Sequence, residues 1–446
     1  MERIKRTKYS NNGGYLSRKK NRIPWLPMLA ALVFVLAIFT AIRLWPGSAG
    51  DVAAPAQTTT QPEVTVAPAV TTAPKPDLTA EVKVRMAGDF MLHTGPLAAA
   101  QTGEFTYDFI PFMQDMQSYV NGDLNITDIE GAVDAYGDNQ DITSYPMFNF
   151  PRELLDAIKF LGFDTIVTAN NHAYDQGWEG LLATKKQLKN AKLKQVGTYA
   201  SQEEYDKPYI RKINGIKVGI VAWSALDNGM SGAVGEHLPY AMRKFEQDSL
   251  EDIPRMLDDV KKLRKKGAEV VLMPVHWGGE YQDQPSDNQR EIARQLLEGG
   301  VDILIGDHTH CVQPIEKIKV ERNGRKQNAL CIYSLGNFFA DQLGLDPPAP
   351  KTQYGMLVSV TISRDEDGKI DLKSMKYMPT LCYRDSLAIA HQNGNPFGYA
   401  FVPAGKYAAM DEQPEDISYD TWQETKAAWE HVRAVAGDDI KAYAGK

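Results

Sequence analysis

The amino-acid sequence predicts an α/β protein built around one large layered domain. From about residue 81 onward, short apolar runs alternate with amphipathic stretches, which is the pattern of strands and helices packed in layers. Polar side chains stand directly after several of the apolar runs, where strands are expected to end. Of the 446 residues, 43% are hydrophobic and 24% are charged, so the chain can bury a core of ordinary size.

Residues 1–24 and 25–45 differ sharply in composition. The first segment holds eight lysines and arginines against a single acid and predicts a basic cytoplasmic tail. The second is apolar apart from Arg43 and has Trp25 and Trp45 at its ends, so it predicts a transmembrane signal-anchor across a bilayer core of about 30 Å. The positive-inside rule then predicts a single-pass protein of the cell membrane with a cytoplasmic N-terminus and an extracellular main domain. A cleaved signal peptide is the alternative, although its apolar region is normally only about 7–15 residues long.

Three further segments follow the apolar run. Residues 46–80 are rich in Ala, Pro, Thr and Val and predict a flexible linker, because such a stretch buries too little apolar surface to offset its ordering entropy. Residues 81–385 predict the main domain. Residues 386–446 predict a C-terminal extension with a helix near 420–436 docked on that domain.

Charge and cysteine content exclude several classes of protein. The formal net charge is −8, so the chain is not expected to bind nucleic acid. The three cysteines, Cys311, Cys331 and Cys382, form no CxxC pair, which argues against a zinc ribbon or a thioredoxin-like motif. We expect buried free thiols, with one disulfide as the alternative.

Apolar runs and amphipathic periodicity give approximate positions for the elements of the main domain. Strands are predicted at 82–87, 124–127, 165–168, 218–223, 270–275, 303–305, 331–334, 356–362 and 372–378. Helices are predicted near 151–161, 178–191, 250–266 and 287–299. Two of these helices end at glycine, a common helix terminator.

Polar residues of a consistent chemical type follow six of the predicted strands. They are Asp89; Asp128 and Glu130; Asn170, Asn171 and His172; His276 and Glu280; Asp307, His308 and His310; and Asn337. In open α/β sheets the carboxyl ends of the strands form the ligand-binding edge. Carboxylates, amide oxygens and imidazoles together suit Mn²⁺, Fe²⁺ or Zn²⁺, and two such ions about 3.5–4 Å apart can share a carboxylate and activate water. A turn, a helix cap or a partly buried imidazole would explain any one segment alone, but hardly the whole series.

The order of these motifs resembles the CapA family of bacterial capsule (poly-gamma-glutamate) synthesis proteins, which includes the polyglutamate synthesis proteins called PgsA. The resemblance covers about residues 82–380. It implies a fold similar to calcineurin-like metallophosphoesterases, with two β-sheets flanked by helices and a metal centre at one sheet edge. The matching motifs are AGDFM around Asp89, NITDIEG around Glu130, NNHAYDQG at 170–177, HWGGEY at 276–281, GDHTHCVQPIE at 306–316 and YSLGNF at 333–338.

Carried onto this sequence, the resemblance implies roles for individual residues. His172 would protonate the leaving group and Asp175 would orient its loop, a plain loop hydrogen bond being the alternative for Asp175. Glu130 would bridge two divalent ions. The implied metal ligands are Asp89, Glu130, Asn171, His276, His308 and His310. Substrate contacts are expected from Trp277, Glu280, Tyr281 and Asn337, with core packing as the alternative for Trp277 and Tyr281.

One position departs from the phosphoesterase pattern. Those enzymes have Asp-x-His in the first motif, whereas Met91 stands at the third position here. A thioether does not suit a hard metal, and His93 is the available substitute. The departure makes ordinary phosphatase activity less expected and leaves one of the two metal sites weak or empty.

The expected function is metal-assisted hydrolysis or transfer in making, exporting or attaching an anionic surface polymer. The expected partners are the membrane, that polymer and other membrane subunits of capsule synthesis. One alternative is a non-catalytic subunit that binds the polymer or a synthase through a degenerate metal site. Another is a secreted metallophosphoesterase unrelated to capsule.

Overall fold

The computed structural model describes residues 78–322, 324–342, 351–388 and 396–445. The predicted tail (1–24), the transmembrane anchor (25–45) and nearly all of the linker lie outside these ranges and remain predictions. Within the described ranges, every helix is too short or too polar to cross a lipid bilayer.

Twenty strands are assigned within the described residues, and most of the predicted ones are present with extended ends. In chain order they are β1 (Ala80–Met91), β2 (Gln101–Gly103), β3 (Thr106–Tyr107), β4 (Leu124–Ile129), β5 (Ala132–Val133), β6 (Asn149–Phe150), β7 (Thr165–Val167), β8 (Lys194–Val196), β9 (Tyr209–Ile213), β10 (Ile216–Ile220), β11 (Trp223–Ser224), β12 (Val270–His276), β13 (Ile303–Asp307), β14 (Ile315–Arg322), β15 (Arg325–Ile332), β16 (Asn337–Ala340), β17 (Tyr354–Arg364), β18 (Ile370–Asp385), β19 (Gly398–Pro403) and β20 (Lys441–Ala442).

The four helices predicted in the main domain and the one predicted near the C-terminus are also present. In chain order the α-helices are α1 (Thr94–Ala100), α2 (Ile110–Met113), α3 (Glu153–Leu161), α4 (Gly177–Asn190), α5 (Gln202–Asp206), α6 (Leu238–Ala241), α7 (Ile253–Lys265), α8 (Asp287–Glu298), α9 (Ala404–Ala408) and α10 (Tyr419–Ala436). A 3₁₀ segment, Met230–His237, precedes α6. Ser286 caps α8 in a capping box with Gln289, which satisfies two of the free N–H groups at that helix start.

Two mixed β-sheets form the centre of the domain. The first has the strand order β19-β18-β17-β1-β4-β7-β8, with β16 beside β1 and β20 beside β18. The second has the order β14-β15-β13-β12-β10-β9, with β11 beside β12. In the first sheet the parallel strands β1, β4, β7 and β8 carry antiparallel strands on one side only. In the second sheet the parallel strands β10, β12, β13 and β15 have an antiparallel strand on each side.

The apolar side chains sort into three packed layers. Val84 and Ile126 of the first sheet share one buried cluster with Leu272 and Ile305 of the second, so the sheets pack face to face. The outer face of the first sheet packs on α2 and α3, and that of the second on α7 and α8. The fold is therefore two β-sheets flanked by helices, the architecture that the resemblance implied.

The C-terminal region adds to the first sheet as well as covering it. β19 pairs with β18 along Gly398–Pro403, a strand that sequence reasoning missed because its glycine and proline ends are typical of a loop. The predicted helix near 420–436 is α10, whose Trp422 and Val432 join the cluster between the sheets. All three cysteines are buried and remain thiols outside any disulfide, as expected.

Candidate metal centre

The carboxyl ends of parallel strands from both sheets converge on one set of polar side chains. Asp89, near the end of β1, is the register partner of Asp128 in β4. In the second sheet His276, the last residue of β12, is the register partner of Asp307 at the end of β13. Glu130 follows β4 directly, so the strand ends alone bring carboxylates from one sheet towards imidazoles from the other.

Three groups of side chains among the described residues each place three ligand atoms within 4.8 Å of one another. The groups are Glu130 with His276 and His308, Asp89 with Glu130 and His310, and Asp89 with Asp128 and His276. Glu130 belongs to two of the three. A carboxylate shared in this way has the placement of a bridging ligand.

Individual distances divide the centre into two halves on either side of Glu130. In one half, His276 Nε2 lies 2.6 Å from Asn171 Oδ1, 3.1 Å from His308 Nδ1 and 3.7 Å from Glu130 Oε1. In the other, His310 Nδ1 lies 3.8 Å from Glu130 Oε2 and 3.9 Å from Asp89 Oδ2. All six predicted metal ligands are therefore brought together.

The donor set fits a cation because its carboxylates have no other partner. Asp89 and Glu130 are fully buried, and none of their four carboxylate oxygens has a hydrogen-bond partner. Leaving a buried carboxylate unpaired is strongly unfavourable. A bound divalent cation offsets that cost, whereas an ordinary structural role does not explain the arrangement.

Burial sets the charge state of these groups. Burial, followed by the charges of Asp307, Glu130 and Asp128, raises the pKa of Asp89 well above its usual range. Burial lowers the pKa of His276 well below 6.5, that of His308 to about 3 and that of His310 to about 4. The imidazoles are thus neutral at pH 7, the form that binds metals.

The backbone around the last two histidines is held in an unusual conformation. His308 has φ 98° and His310 has φ 58°, in the left-handed region that residues with a Cβ rarely adopt. Such strain costs on the order of 1–3 kcal/mol per residue and concentrates at functional sites. The conformation lets both imidazoles of the His-Thr-His segment point towards Glu130.

His172 stands at the edge of this centre and is oriented by Asp175. Its Nδ1 lies 2.7 Å from Asp175 Oδ2, and its Nε2 lies 3.9 Å from Glu130 Oε1. Asp175 Oδ2 also accepts a 2.7 Å hydrogen bond from the backbone N–H of Phe148. Burial alone would lower the pKa of His172, but the hydrogen bond to Asp175 and the charge of Glu130 outweigh it, so the pKa is raised.

The geometry can be set beside known families. A sequence model described as "Bacterial capsule synthesis protein PGA_cap" matches residues 83–342, more than half of the chain. The protein belongs to this family. The match includes every candidate ligand from Asp89 to His310, as well as His172 and Asp175.

Named relatives of this PGA_cap chain come from two Bacillus species. "PGA biosynthesis protein CapA" of Bacillus subtilis (strain 168) is 31% identical over 222 residues, which cover 50% of this chain and 53% of that protein. "Capsule biosynthesis protein CapA" of Bacillus anthracis is 30% identical over 190 residues, 43% of each chain. The chain thus spans about half the length of the curated relatives it matches.

A solved structure with a similar arrangement is more distant. The Haemophilus influenzae NAD nucleotidase (NadN) overlays with a TM-score of 0.40 at 13% identity, covering 79% of this chain and 60% of that one. At this distance the likeness supports no conclusion about substrate or reaction.

The four predicted substrate contacts of the PGA_cap chain fall in different places. Glu280 is exposed, and the half-buried Tyr281 lies beside His310 with ring centroids 5.8 Å apart. Trp277 lies in the core instead, because it is 0% exposed and its indole N–H donates to Tyr333 O at 3.0 Å. Asn337 is also buried, with Oδ1 3.1 Å from His310 Nδ1, so it meets an imidazole and not the solvent-facing side.

Sequence reasoning missed Asn228, which reaches the centre from the loop after β11. Its Nδ2 lies 3.3 Å from His172 Nε2, and its Oδ1 accepts from Asn171 Nδ2 at 3.3 Å. Lys244 holds the start of this loop through Asp227 at 2.5 Å. Asn228 also follows a strand end, so the rule that found the other residues could have found it if the short β11 had been recognised.

Met91, the residue that departs from the phosphoesterase pattern, packs against apolar side chains. Met91 is 2% exposed and belongs to the apolar cluster between the first sheet and its helices. His93 packs against Phe148, with ring centroids 5.4 Å apart, and it belongs to none of the three ligand groups found among the described residues. Neither side chain therefore supplies the missing imidazole in this arrangement.

Proposed function

We propose that this PGA_cap protein is a membrane-anchored, extracellular, metal-dependent hydrolase or transferase. It acts on a phosphoryl, amide or ester bond of an anionic capsule polymer, poly-gamma-glutamate or a related one, during synthesis, export or attachment. Family membership and the names of the Bacillus relatives support the polymer pathway. The basic tail and apolar run at 1–45 support the anchored, outward-facing topology.

One observation carries the metal dependence. Asp89 and Glu130 bury four unpartnered carboxylate oxygens next to three imidazoles whose pKa values are lowered. The two halves on either side of Glu130 support two ions, and the mixed oxygen and nitrogen ligands favour Mn²⁺, Fe²⁺ or Zn²⁺. When bound, such ions supply Lewis-acid activation of water and of the bond to be cleaved.

The surrounding side chains orient the general acid, favour its protonated form and border the side that faces the polymer. Asp175 accepts a hydrogen bond from the Nδ1–H of His172 and so fixes the tautomer. This leaves Nε2 facing the centre. The raised pKa of His172 favours the protonated imidazole, whose Nε2 then delivers a proton to a leaving group. Tyr281 and Glu280 border the open side, where a polymer segment would lie.

Elemental analysis of the full-length chain, purified in detergent and loaded with MnCl₂, tests the central claim. We expect about two Mn²⁺ per chain, as in two-metal sites generally. A chain that retains no divalent ion after loading and gel filtration would contradict a metal-dependent function outright.

A non-catalytic subunit is the second candidate, and Met91 is the observation that favours it. With a buried thioether where an imidazole would be expected, one half of the centre has fewer ligands. In this alternative the metal-loaded protein binds polymer or a synthase partner without turnover. An assay of the Mn²⁺-loaded chain on a phosphodiester and on a γ-glutamyl peptide separates the two candidates.

Metal removal is expected to destabilise the protein more at pH 8 than at pH 5. The raised pKa values of Asp89, Asp128 and Asp307 stabilise the metal-free fold below their unfolded value, and this contribution is lost as pH rises through the raised values. The lowered pKa values of the three histidines leave their imidazoles neutral in the metal-free fold at both pH values, as in the metal-bound form, so they do not change this difference. Thermal unfolding with EDTA and with Mn²⁺ at both pH values measures the difference.

The stabilisation that bound metal gives the folded state follows from mass action. A ligand at a hundredfold excess over Kd stabilises the folded state by about 2.7 kcal/mol. We expect the gap between the metal-loaded and EDTA-treated unfolding temperatures to widen from pH 5 to pH 8. An equal gap at both pH values would mean that the buried carboxylates do not face the ion.

Substitution of Asn228 by alanine is expected to lower turnover by about 10-fold while leaving metal content unchanged, as for outer-shell residues that orient a functional side chain. The reason is that Asn228, from the opposite sheet, accepts from Asn171 and donates to His172 Nε2 when that nitrogen is unprotonated. Steady-state kinetics with parallel metal analysis checks this.

The matched control is Asn190→Ala, because Asn190 is exposed and bonds only to Gln187 within its own helix. Equal losses in the two variants would contradict a positioning role for Asn228.

A further inference from the structure

The half of the centre around His310 has three protein ligands, but one of them, Glu130, is shared with the other half. Asp89, Glu130 and His310 contribute one ligand atom each, and Met91 contributes none because it is buried among apolar side chains. Sites that hold a catalytic ion usually offer three or more protein ligands and an open position. A bridging carboxylate counts for both ions, so this half would hold its ion weakly unless another side chain joins.

Asn337 lies where such a ligand would be. It is the register partner of Asp89, because β16 runs parallel to β1 at that point. Its Oδ1 lies 3.1 Å from His310 Nδ1, the same imidazole atom that approaches Asp89 and Glu130. Oxygens from the end of β1, from the residue after β4 and from the first residue of β16 therefore surround one imidazole nitrogen.

The orientation of the Asn337 amide is fixed by its other end. Its Nδ2 donates to Gln342 Oε1 and to the backbone carbonyl of Thr352, both at 2.9 Å. Because both N–H groups are used, a flipped amide would bring its oxygen against two acceptors. The carbonyl oxygen is consequently the end that faces His310.

The other half of the centre contains the same arrangement. There Asn171 Oδ1 lies 2.6 Å from His276 Nε2, and Glu130 supplies the shared carboxylate at 3.7 Å. Each half thus combines one asparagine oxygen, one face of Glu130 and at least one imidazole. The family resemblance assigns a metal to Asn171, whereas for Asn337 it implies a substrate contact and no metal.

We propose that Asn337 is a metal ligand: its Oδ1 completes the site formed by Asp89, Glu130 and His310 and replaces the imidazole that is absent at Met91. The proposal rests on the proposed function, since it requires a cation in this half. It also gives the YSLGNF motif a chemical role. A substrate contact is not the role, because Asn337 is buried.

Titration of the full-length, detergent-purified chain with MnCl₂ tests the proposal by calorimetry. We expect the wild-type chain to bind two ions, and Asn337→Ala to lose at least about 10-fold affinity at one of them and keep the other. Asn125→Ala is the matched control, because Asn125 is a buried asparagine of the same sheet whose amide bonds only to backbone away from the centre. It should lose stability but bind both ions as the wild type does.

The outcomes separate the two claims. A wild-type chain that binds no Mn²⁺ overturns the proposed function and this inference with it. Two unchanged affinities in Asn337→Ala overturn the inference alone. A structure of the Mn²⁺-loaded chain distinguishes a ligand from a residue that only orients His310. An ion about 2.0–2.2 Å from Asn337 Oδ1 supports the proposal. An ion held by Asp89 and His310, with that oxygen outside coordination distance, overturns it.

Discussion

Replacing Glu130 by glutamine is expected to abolish tight metal binding in both halves of the centre. Glutamine keeps the size of the side chain but removes the charge that faces His276 on one side and His310 on the other. We expect more than the roughly 10–100-fold loss in affinity that outer-shell substitutions cause. Calorimetric titration with Mn²⁺ and elemental analysis of the purified chain measure it.

Glu130→Gln should raise the stability of the metal-free protein, although it lowers the stability of the Mn²⁺-loaded protein. Glu130 is fully buried with both oxygens unpartnered, so the metal-free wild type holds an unpartnered carboxyl group in its core, which glutamine replaces with a neutral amide. We therefore expect the EDTA-treated variant to unfold at a higher temperature than the EDTA-treated wild type, while the Mn²⁺-loaded order reverses. Glu430→Gln, a change on a surface helix outside the centre, is the matched control.

This reversal in the order of the unfolding temperatures between EDTA and Mn²⁺ is specific to a metal ligand. A residue with a purely structural role would destabilise the protein in both conditions when replaced. A Glu130→Gln variant that binds Mn²⁺ with the wild-type stoichiometry and affinity would remove the basis of the proposed metal centre.

Replacing His172 by alanine is expected to reduce turnover by about 10²–10⁴-fold, the usual contribution of a general acid, with metal content within about threefold of the wild type. His172 lies 3.9 Å from Glu130 but belongs to none of the three ligand groups of the described residues. Its hydrogen bond to Asp175 points Nε2 at the reacting centre. Kinetics of the Mn²⁺-loaded chain on a phosphodiester and a γ-glutamyl peptide provide the measurement.

The pH profile gives a second readout of the same role. A general acid must be protonated, so activity should fall as pH rises through the raised pKa of His172. This alkaline limb should disappear in His172→Ala, while His431→Gln, a half-buried histidine packed against Tyr354, should leave it unchanged. Turnover that survives in His172→Ala with the same alkaline limb would assign the proton to another group.

If the wild type is inactive on both substrates, the non-catalytic candidate gains support. In that case the Glu130 prediction still holds, because metal binding does not depend on turnover. The two experiments therefore test the metal centre and the catalytic role separately.

Most of the candidate ligands could be predicted because they share one local signature. Asp89, Glu130, Asn171, His276 and the His308–His310 segment each follow an apolar run that the sequence marks as a strand. Parallel strands place their carboxyl ends at a common edge, so position along the chain is enough to predict that such residues meet. The motif order then supplied the family, which the match over residues 83–342 confirmed.

The residues that were missed or left with two readings depend on contacts between distant parts of the chain. Asn228 follows a strand of two residues, Trp223–Ser224, which is too short for a periodic pattern to reveal. Trp277 stands in the HWGGEY motif, yet its side chain turns into the core and bonds to Tyr333. No local pattern states which face of a strand end is solvent and which is core.

The sequence by itself determined the alternation of strands and helices, the side chains available for metal chemistry and the family, since all three are written in local order and residue type. Only the tertiary structure decided how those side chains divide into two halves around Glu130, why Met91 contributes nothing and why Asn337 faces His310. The reason is that two separate sheets must pack before their strand ends share one space, and the distances across that packing are fixed by the whole core and not by any segment.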